Sequence, residues 1–386
     1  MESETGMVKT GIDHIKEYAD LFQNRRVGLL TGITGRNSEN RSTIEILQET
    51  CELAVLFGAE HGVRGDAGAG EDVKTYTDKA TGLTVYSLYG SERKRLTKEM
   101  LDTFDVLVYD IQDVGARFFT FISTLHHVLE DCAEAGKTLV VLDRPNPLGG
   151  ALAEGGVLDM EYSSFVGCYP LAARYGLTCG ELAGMMNEEQ KMGCDLRIVP
   201  CTGWKRNSLF PEWGTIWQAP SPALMTFETT LLYAGLCLIE GTNLSEGRGT
   251  AAPFRVIGAD YVDAEELMKA FNQAGLPGVV STPVWFVPAA SKHQGEKCGG
   301  ILLHVTDYKK IRPMTVSITL LDLVRKLYPE QYRVLPPYRE GGRPMLALLS
   351  GSDALLEDWN KDDILSAYER ESRHFEERKK KFHIYE

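Results

Sequence analysis

Short apolar runs, each ending in a polar cluster, recur along the first half of this chain, with helical patterns between them. Residues 26–30 run into Thr31-Gly32 and residues 53–57 into Glu60-His61-Gly62; 106–109 lead to Asp110-Ile111-Gln112-Asp113, and 139–142 to Asp143-Arg144-Pro145-Asn146. Apolar periodicity predicts helices over 42–50 and 123–135 between these runs. Continuous apolar strands must be covered on both faces, so the pattern predicts an α/β fold: a Rossmann-like parallel sheet with helices on both sides. Ligands of such sheets bind beyond the carboxyl ends of the strands, and all four polar clusters fall there.

A fifth strand over 196–199 is predicted to continue the sheet, and a first helix over 11–23 to pack on it, with Ile12, Ile15, Tyr18, Ala19 and Phe22 at helical spacing. The stretch 207–222, rich in Trp, Pro and Ser, reads as an irregular loop facing substrate. Helices are predicted over 227–238, 264–274, 316–327 and 362–381, and a strand over 300–305. A chain of 386 residues exceeds what one hydrophobic core comfortably serves. The expected division is a catalytic domain over 1–232 and a smaller α+β C-terminal domain over 233–386 that contributes to the cleft. The charge run 376–381 reads as a solvated helix face.

The net charge of −13 argues against general affinity for nucleic acid or an anionic membrane surface. No apolar run is long enough to cross a bilayer, and the polar, then amphipathic opening has no signal-peptide pattern. The eight cysteines are scattered without a CxxC pair, which predicts reduced thiols and a cytoplasmic protein.

The polar clusters offer definite chemistry. Glu60 follows a strand beside glycines that allow close backbone approach, and a partly shielded carboxyl there suits a general acid; alternatively it pairs with Arg64. Asp110, Asp113 and Arg117 could position substrate or form an internal ion-pair network. Asp143, Arg144 and Asn146 sit in a turn stiffened by Pro145 and Pro147, with Glu154 shortly after. A rigid loop carrying an arginine fits bidentate recognition of a carboxylate or phosphate. The loop 240–250 gathers Glu240, Asn243, Glu246 and Arg248. No Walker A loop, GxGxxG or GxSxG occurs, so no nucleotide cofactor and no serine nucleophile are expected. No HxH or HExxH spacing supports a metal, and none is expected.

The succession RVGLLTGITG, FGAEHGVRGDAGAGE, TGLTVYSLYG, DVLVYDIQDVGARFFTFISTL, VVLDRPNPLGG, EGTNLSEGRGT and SKHQGEKCGG resembles the NamZ-type exo-β-N-acetylmuramidases, in order and from residue 11 to 385. The resemblance implies a Rossmann-like catalytic domain, a smaller C-terminal domain, and hydrolysis of terminal β-1,4-linked N-acetylmuramic acid without metal or nucleotide. The substrate would be a small amino sugar, a disaccharide or muropeptide met in cell-wall turnover or recycling. Glu60 matches the glutamate of the family's EHG motif; His61, Arg64, Asp110, Asp113, Arg117, Asp143, Arg144, Asn146, Glu240, Asn243, Glu246 and Arg248 carry over as cleft residues. The chain departs from the family pattern at Gly32, Tyr175 and Ala223, where Asn, His and Asn are usual.

Glycosidic cleavage needs an acid for the leaving oxygen and a second group at the oxocarbenium-like centre. Glu60 is the expected acid and Asp110 or Asp113 its partner, with the substrate's own acetamido group as the other candidate. Arg144, Arg117, Arg174 and Arg248 are candidates to read the lactyl carboxylate that distinguishes muramic acid from glucosamine. Rival readings are a non-catalytic muropeptide-binding protein and a metal-dependent amino-sugar hydrolase or deacetylase.

Overall fold

The computed structural model describes residues 7–65, 74–90 and 95–386, so the glycine-rich run after Gly65 lies outside the described residues. The strands of the first half are β1 (Arg26–Thr31), β2 (Glu52–Gly58), β3 (Tyr76–Thr77), β4 (Thr84–Ser87), β5 (Val106–Asp110) and β6 (Thr138–Leu142). They are followed by the separate antiparallel pair β7 (Glu154–Val157) and β8 (Ala172–Arg174), and then by β9 (Asp195–Val199). One seven-stranded sheet has the order β3-β4-β2-β1-β5-β6-β9, parallel except for β3 at the edge. The helices between are α1 (Thr43–Thr50), the single turn α2 (Lys98–Leu101), α3 (Phe121–Glu134) and α4 (Cys179–Glu189).

Successive side chains of a strand point to opposite faces, and here both faces are buried. Leu30, Leu107, Tyr109, Leu139 and Val141 pack into one core with α3 and α4. Val27, Leu29, Val106, Val108, Val140 and Leu142 pack into another with α1 and the segment Gly11–Leu21. That segment is a 3-10 helix rather than the expected α-helix, interrupted at Tyr18. Its apolar residues Ile12, Ile15, Tyr18 and Leu21 recur every third position, the repeat that a three-residue turn aligns on one face.

The second half holds α5 (Phe227–Leu236), β10 (Val256–Ala259), α6 (Ala264–Gln273), β11 (Val279–Phe286), β12 (Cys298–Val305), α7 (Pro313–Leu327), α8 (Met345–Ser350) and α9 (Lys361–Lys379). Its sheet is antiparallel in the order β10-β12-β11. Position 232 falls inside α5, which packs against α7.

The closing helix returns to the first half of the chain, so the expectation of a solvated charge run is corrected in part: Glu377, Lys380 and Lys381 are exposed, and the other three residues are engaged. Glu376 accepts the Ala153 N–H, and Arg378 is paired with Glu189. Lys379 is buried, its Nζ donating to the carbonyls of Gly150, Tyr175 and Gly176. A helix laid across β7 must bury one side whatever residues stand there, and three carbonyls satisfy the ammonium.

Candidate active site

Beyond β2 the chain reverses through Ala59-Glu60-His61-Gly62, where the Gly62 N–H donates to the Ala59 carbonyl at 3.0 Å. His61 and Gly62 both have φ of 72°, in the left-handed region. Glycine occupies that region freely; a histidine there costs about 1–3 kcal/mol, and such cost gathers where geometry serves function. The turn sets Glu60 and His61 in the wall of a cavity of about 180 Å³.

The approach to α3 forms a second wall with Phe118, Phe119 and Thr120. The Thr120 hydroxyl donates to Glu60 Oε2 at 2.6 Å and so holds the carboxyl in one orientation. From the second half come Tyr233 of α5, then Glu240, Arg248 and Phe254. Tyr233 meets Phe118 and Phe254 edge-on, with ring centroids 5.3 and 4.9 Å apart, so one side of the cavity is aromatic.

Charge is concentrated on the 240–250 loop. Arg248 donates from Nε and Nη2 to Glu240 Oε1, at 2.9 and 2.7 Å, with its guanidinium 5.0 Å from the Phe254 ring centroid. Glu246, buried beside them, is paired with Lys292 at 2.8 Å. Burial raises the Glu240 pKa, against the opposing pull of Arg248, and the charge of Glu246 raises it further. Lys292 lies in the motif SKHQGEKCGG but carries no signal of its own as a site residue in the sequence. Thr120 and Tyr233, on or beside helices, and Phe254, in the turn before β10, carry no signal either, since such residues read as core or turn.

Of the expected site residues, Glu60, His61, Glu240 and Arg248 line this cavity together. The expected partner carboxylates do not, and this is a correction. Asp110 is fully buried, accepting from Arg144 at 2.5 and 3.0 Å and from the Thr43 hydroxyl. Asp113 accepts the Gly115 N–H at 2.6 Å and the hydroxyl of Tyr175, the residue standing where the family usually has His. Both side chains turn into the protein toward donors that must be satisfied away from water: Thr43 of α1 and Arg144 beyond β6 for Asp110, and Gly115 and Tyr175 for Asp113.

Other substrate-binding expectations are corrected in the same way. Arg64 is paired with Asp78 rather than with Glu60. Arg117 is buried and donates to the carbonyls of Gly156, Leu171 and Leu349, tying β7 and β8 to α8. Asp143 accepts from Thr178, Gly180 and the hydroxyl of Tyr385, close to the chain's end. Asn146 donates to Leu177 and accepts from Leu148; a Cβ on Gly115 would stand 2.3 Å from its Oδ1. Arg174 donates to the Leu148 carbonyl near Glu154, and Asn243 joins Tyr261 to the backbone of Gln331 and Arg333. Glu246 stands behind Arg248, away from the lining. Arg144 opens on a different crevice at the strand ends.

Ala223, at a departure from the family pattern, lines the Glu60 cavity, whereas Gly32 stands with Arg64 in another hollow. Among the described residues, the group able to share a metal ion is Asp260, His293 and Glu296, of which His293 is half-buried and the acids exposed. It lies outside the cavity lining.

Burial pushes Asp113 up to about 6, and Asp143 likewise. The fold thus keeps protons that the unfolded chain releases near pH 4. The resulting stabilisation is full below about pH 4 and is lost as pH rises through 6. At roughly 1.4 kcal/mol per unit, each group accounts for about 3 kcal/mol across that window. Urea unfolding between pH 4 and 7 should therefore show a shallower loss of stability in Asp113→Asn than in the parent. Parallel pH profiles would assign the proton elsewhere.

Sequence models of exo-beta-N-acetylmuramidase NamZ match almost the whole chain: the N-terminal model residues 27–228 and the C-terminal model residues 231–385. A relative from Bacillus subtilis (strain 168), described as peptidoglycan beta-N-acetylmuramidase NamZ, is 42% identical over 382 residues, covering 98% of this chain and 91% of its own. Two crystal structures of DUF1343 family proteins from Bacteroides fragilis NCTC 9343 share the fold. One is 35% identical with a TM-score of 0.88, over 98% of this chain and 99% of its own. The other is 27% identical with a TM-score of 0.77, over 99% of each.

Proposed function

The chain belongs to the exo-beta-N-acetylmuramidase NamZ family, and from that premise we propose that it hydrolyses the terminal N-acetylmuramic acid from peptidoglycan fragments with Glu60 as general acid. The observation that carries this reading is the convergence of Glu60, His61, Glu240 and Arg248 on one cavity with an aromatic side. An acid must reach the leaving oxygen in a site partly shielded from water, and Thr120 orients Glu60 for that transfer. Glu240, the second carboxylate in the lining, stabilises the oxocarbenium-like centre, and Arg248 holds it in place.

Arg248 also supplies a cation for the substrate's lactyl carboxylate, so an acidic protein can take an anionic sugar through a local positive charge. A charge-assisted hydrogen bond contributes about 1.5–3 kcal/mol, which is about ten- to a hundredfold in binding. Arg248→Ala is expected to lower kcat/KM by that amount on a chromogenic N-acetylmuramic acid glycoside. An unchanged KM for that glycoside would remove Arg248 from the role of carboxylate reader.

The test of the function itself is a product assay with this glycoside and its N-acetylglucosamine counterpart side by side. Release of free N-acetylmuramic acid, with the glucosaminide left intact, is the expected result. Binding without release would make the protein a muropeptide-binding module instead.

A further inference from the structure

A second crevice opens where the order of the main sheet reverses. From β1 the chain moves through β2 to β4, then crosses back to β5 on the other side of β1 and continues to β6 and β9. Doubly wound sheets leave a ligand crevice at such a point, outside the carboxyl ends of the two diverging strands. Here it is lined by Thr34 beyond β1, Gln112 beyond β5, Arg144 beyond β6, and the 210–218 loop.

The lining chemistry is distinctive. The loop contributes Phe210, Trp213 and Trp217, and amides come from Asn37, Asn40, Gln112 and Gln218. Arg36 and Arg144 are the charged groups, and no carboxylate is among the described lining residues. Two buried polar atoms in the lining, Trp213 Nε1 and Gln218 Oε1, have no hydrogen-bond partner in the protein. A buried donor and a buried acceptor left open cost free energy unless a ligand or water meets them. Ile216 stands 74% exposed in the same lining, an apolar side chain left to solvent.

A nucleotide does not suit this crevice. The helix after β1 begins with Ser42 and Glu45 in a reciprocal cap, so its first N–H groups are engaged and an acidic side chain stands where a phosphate would bind. Indole faces beside primary amides suit a sugar, whose C–H face packs on an aromatic ring while its hydroxyls meet amide groups. The Arg36 guanidinium admits a carboxylate on that sugar, whereas Arg144 is engaged with Asp110.

We propose that this switch-point crevice is a second, non-hydrolytic carbohydrate site that takes a single sugar ring, neutral or carrying a carboxylate. Its described lining residues include no carboxylate for acid catalysis of glycoside cleavage, and the proposal stands whether or not the Glu60 cavity acts as read above.

Calorimetric titration of the full chain with N-acetylmuramic acid, N-acetylglucosamine and, as control, ADP tests the assignment. Gln218→Ala removes the open acceptor together with one exposed hydrogen bond to Asn40, and Ile216→Ser changes only an exposed side chain, so both variants should melt close to the parent. Each should weaken sugar binding in the crevice, Gln218→Ala by about tenfold, while Arg248→Ala leaves that binding in place. The proposal is overturned if no sugar binds, if all sugar binding disappears with Arg248→Ala, if neither crevice variant changes it, or if ADP binds in place of sugar.

Discussion

Glu60→Gln is expected to lower the turnover of a chromogenic N-acetylmuramic acid glycoside by about two to four orders of magnitude, the usual contribution of a positioned general acid. The amide keeps the size of the carboxyl and still offers an oxygen to the Thr120 hydroxyl, so folding and substrate binding should change little. The deficit should therefore appear in kcat, with KM close to the parent value, because an interaction made only in the transition state has been removed. Thermal melting of the variant separates this from a folding defect. Near-normal turnover in a well-folded Glu60→Gln protein would remove Glu60 from the acid role and leave the cavity without an assigned proton donor.

Asp110→Ala should behave in the opposite way, with a large loss of stability and a small loss of chemistry. Asp110 is fully buried and meets Arg144, itself 5% exposed, through two hydrogen bonds. Removing one partner of a buried pair leaves the other charge uncompensated, at a cost of about 3–5 kcal/mol. Urea unfolding should show a lower midpoint with an unchanged slope. At a temperature where the variant remains folded, turnover per folded molecule should stay within about tenfold of the parent, far from the Glu60→Gln deficit. A thousandfold drop in kcat at parental stability would restore Asp110 to the catalytic machinery.

The contrast between these two acids shows how far the residues could be read in advance. Glu60 and Asp110 both follow an apolar strand and sit among polar neighbours, and one-dimensional pattern does not separate them. What separates them is the supply of donors. Around Asp110, Thr43 and Arg144 come from α1 and the turn after β6. Asp143 is likewise enclosed by Thr178, Gly180 and Tyr385. The polar clusters at the strand ends were legible, but many of their members hold their own loops together. Arg117, Asn146 and Arg174 do so by donating to backbone carbonyls that would otherwise be buried without partners.

Local pattern alone determined the parallel sheet, its strand ends, the family motifs and the prominence of Glu60. Those features depend on periods of two and of 3.6 residues and on short runs of neighbours, which a linear chain displays directly. Only the tertiary structure decided that Glu240 and Arg248, rather than Asp110 and Asp113, share the cavity with Glu60. It also decided that Lys379 is buried and that a second crevice opens at the reversal of the sheet. Each of these rests on groups far apart along the chain, and the packing of whole elements sets which way a side chain turns and what it meets.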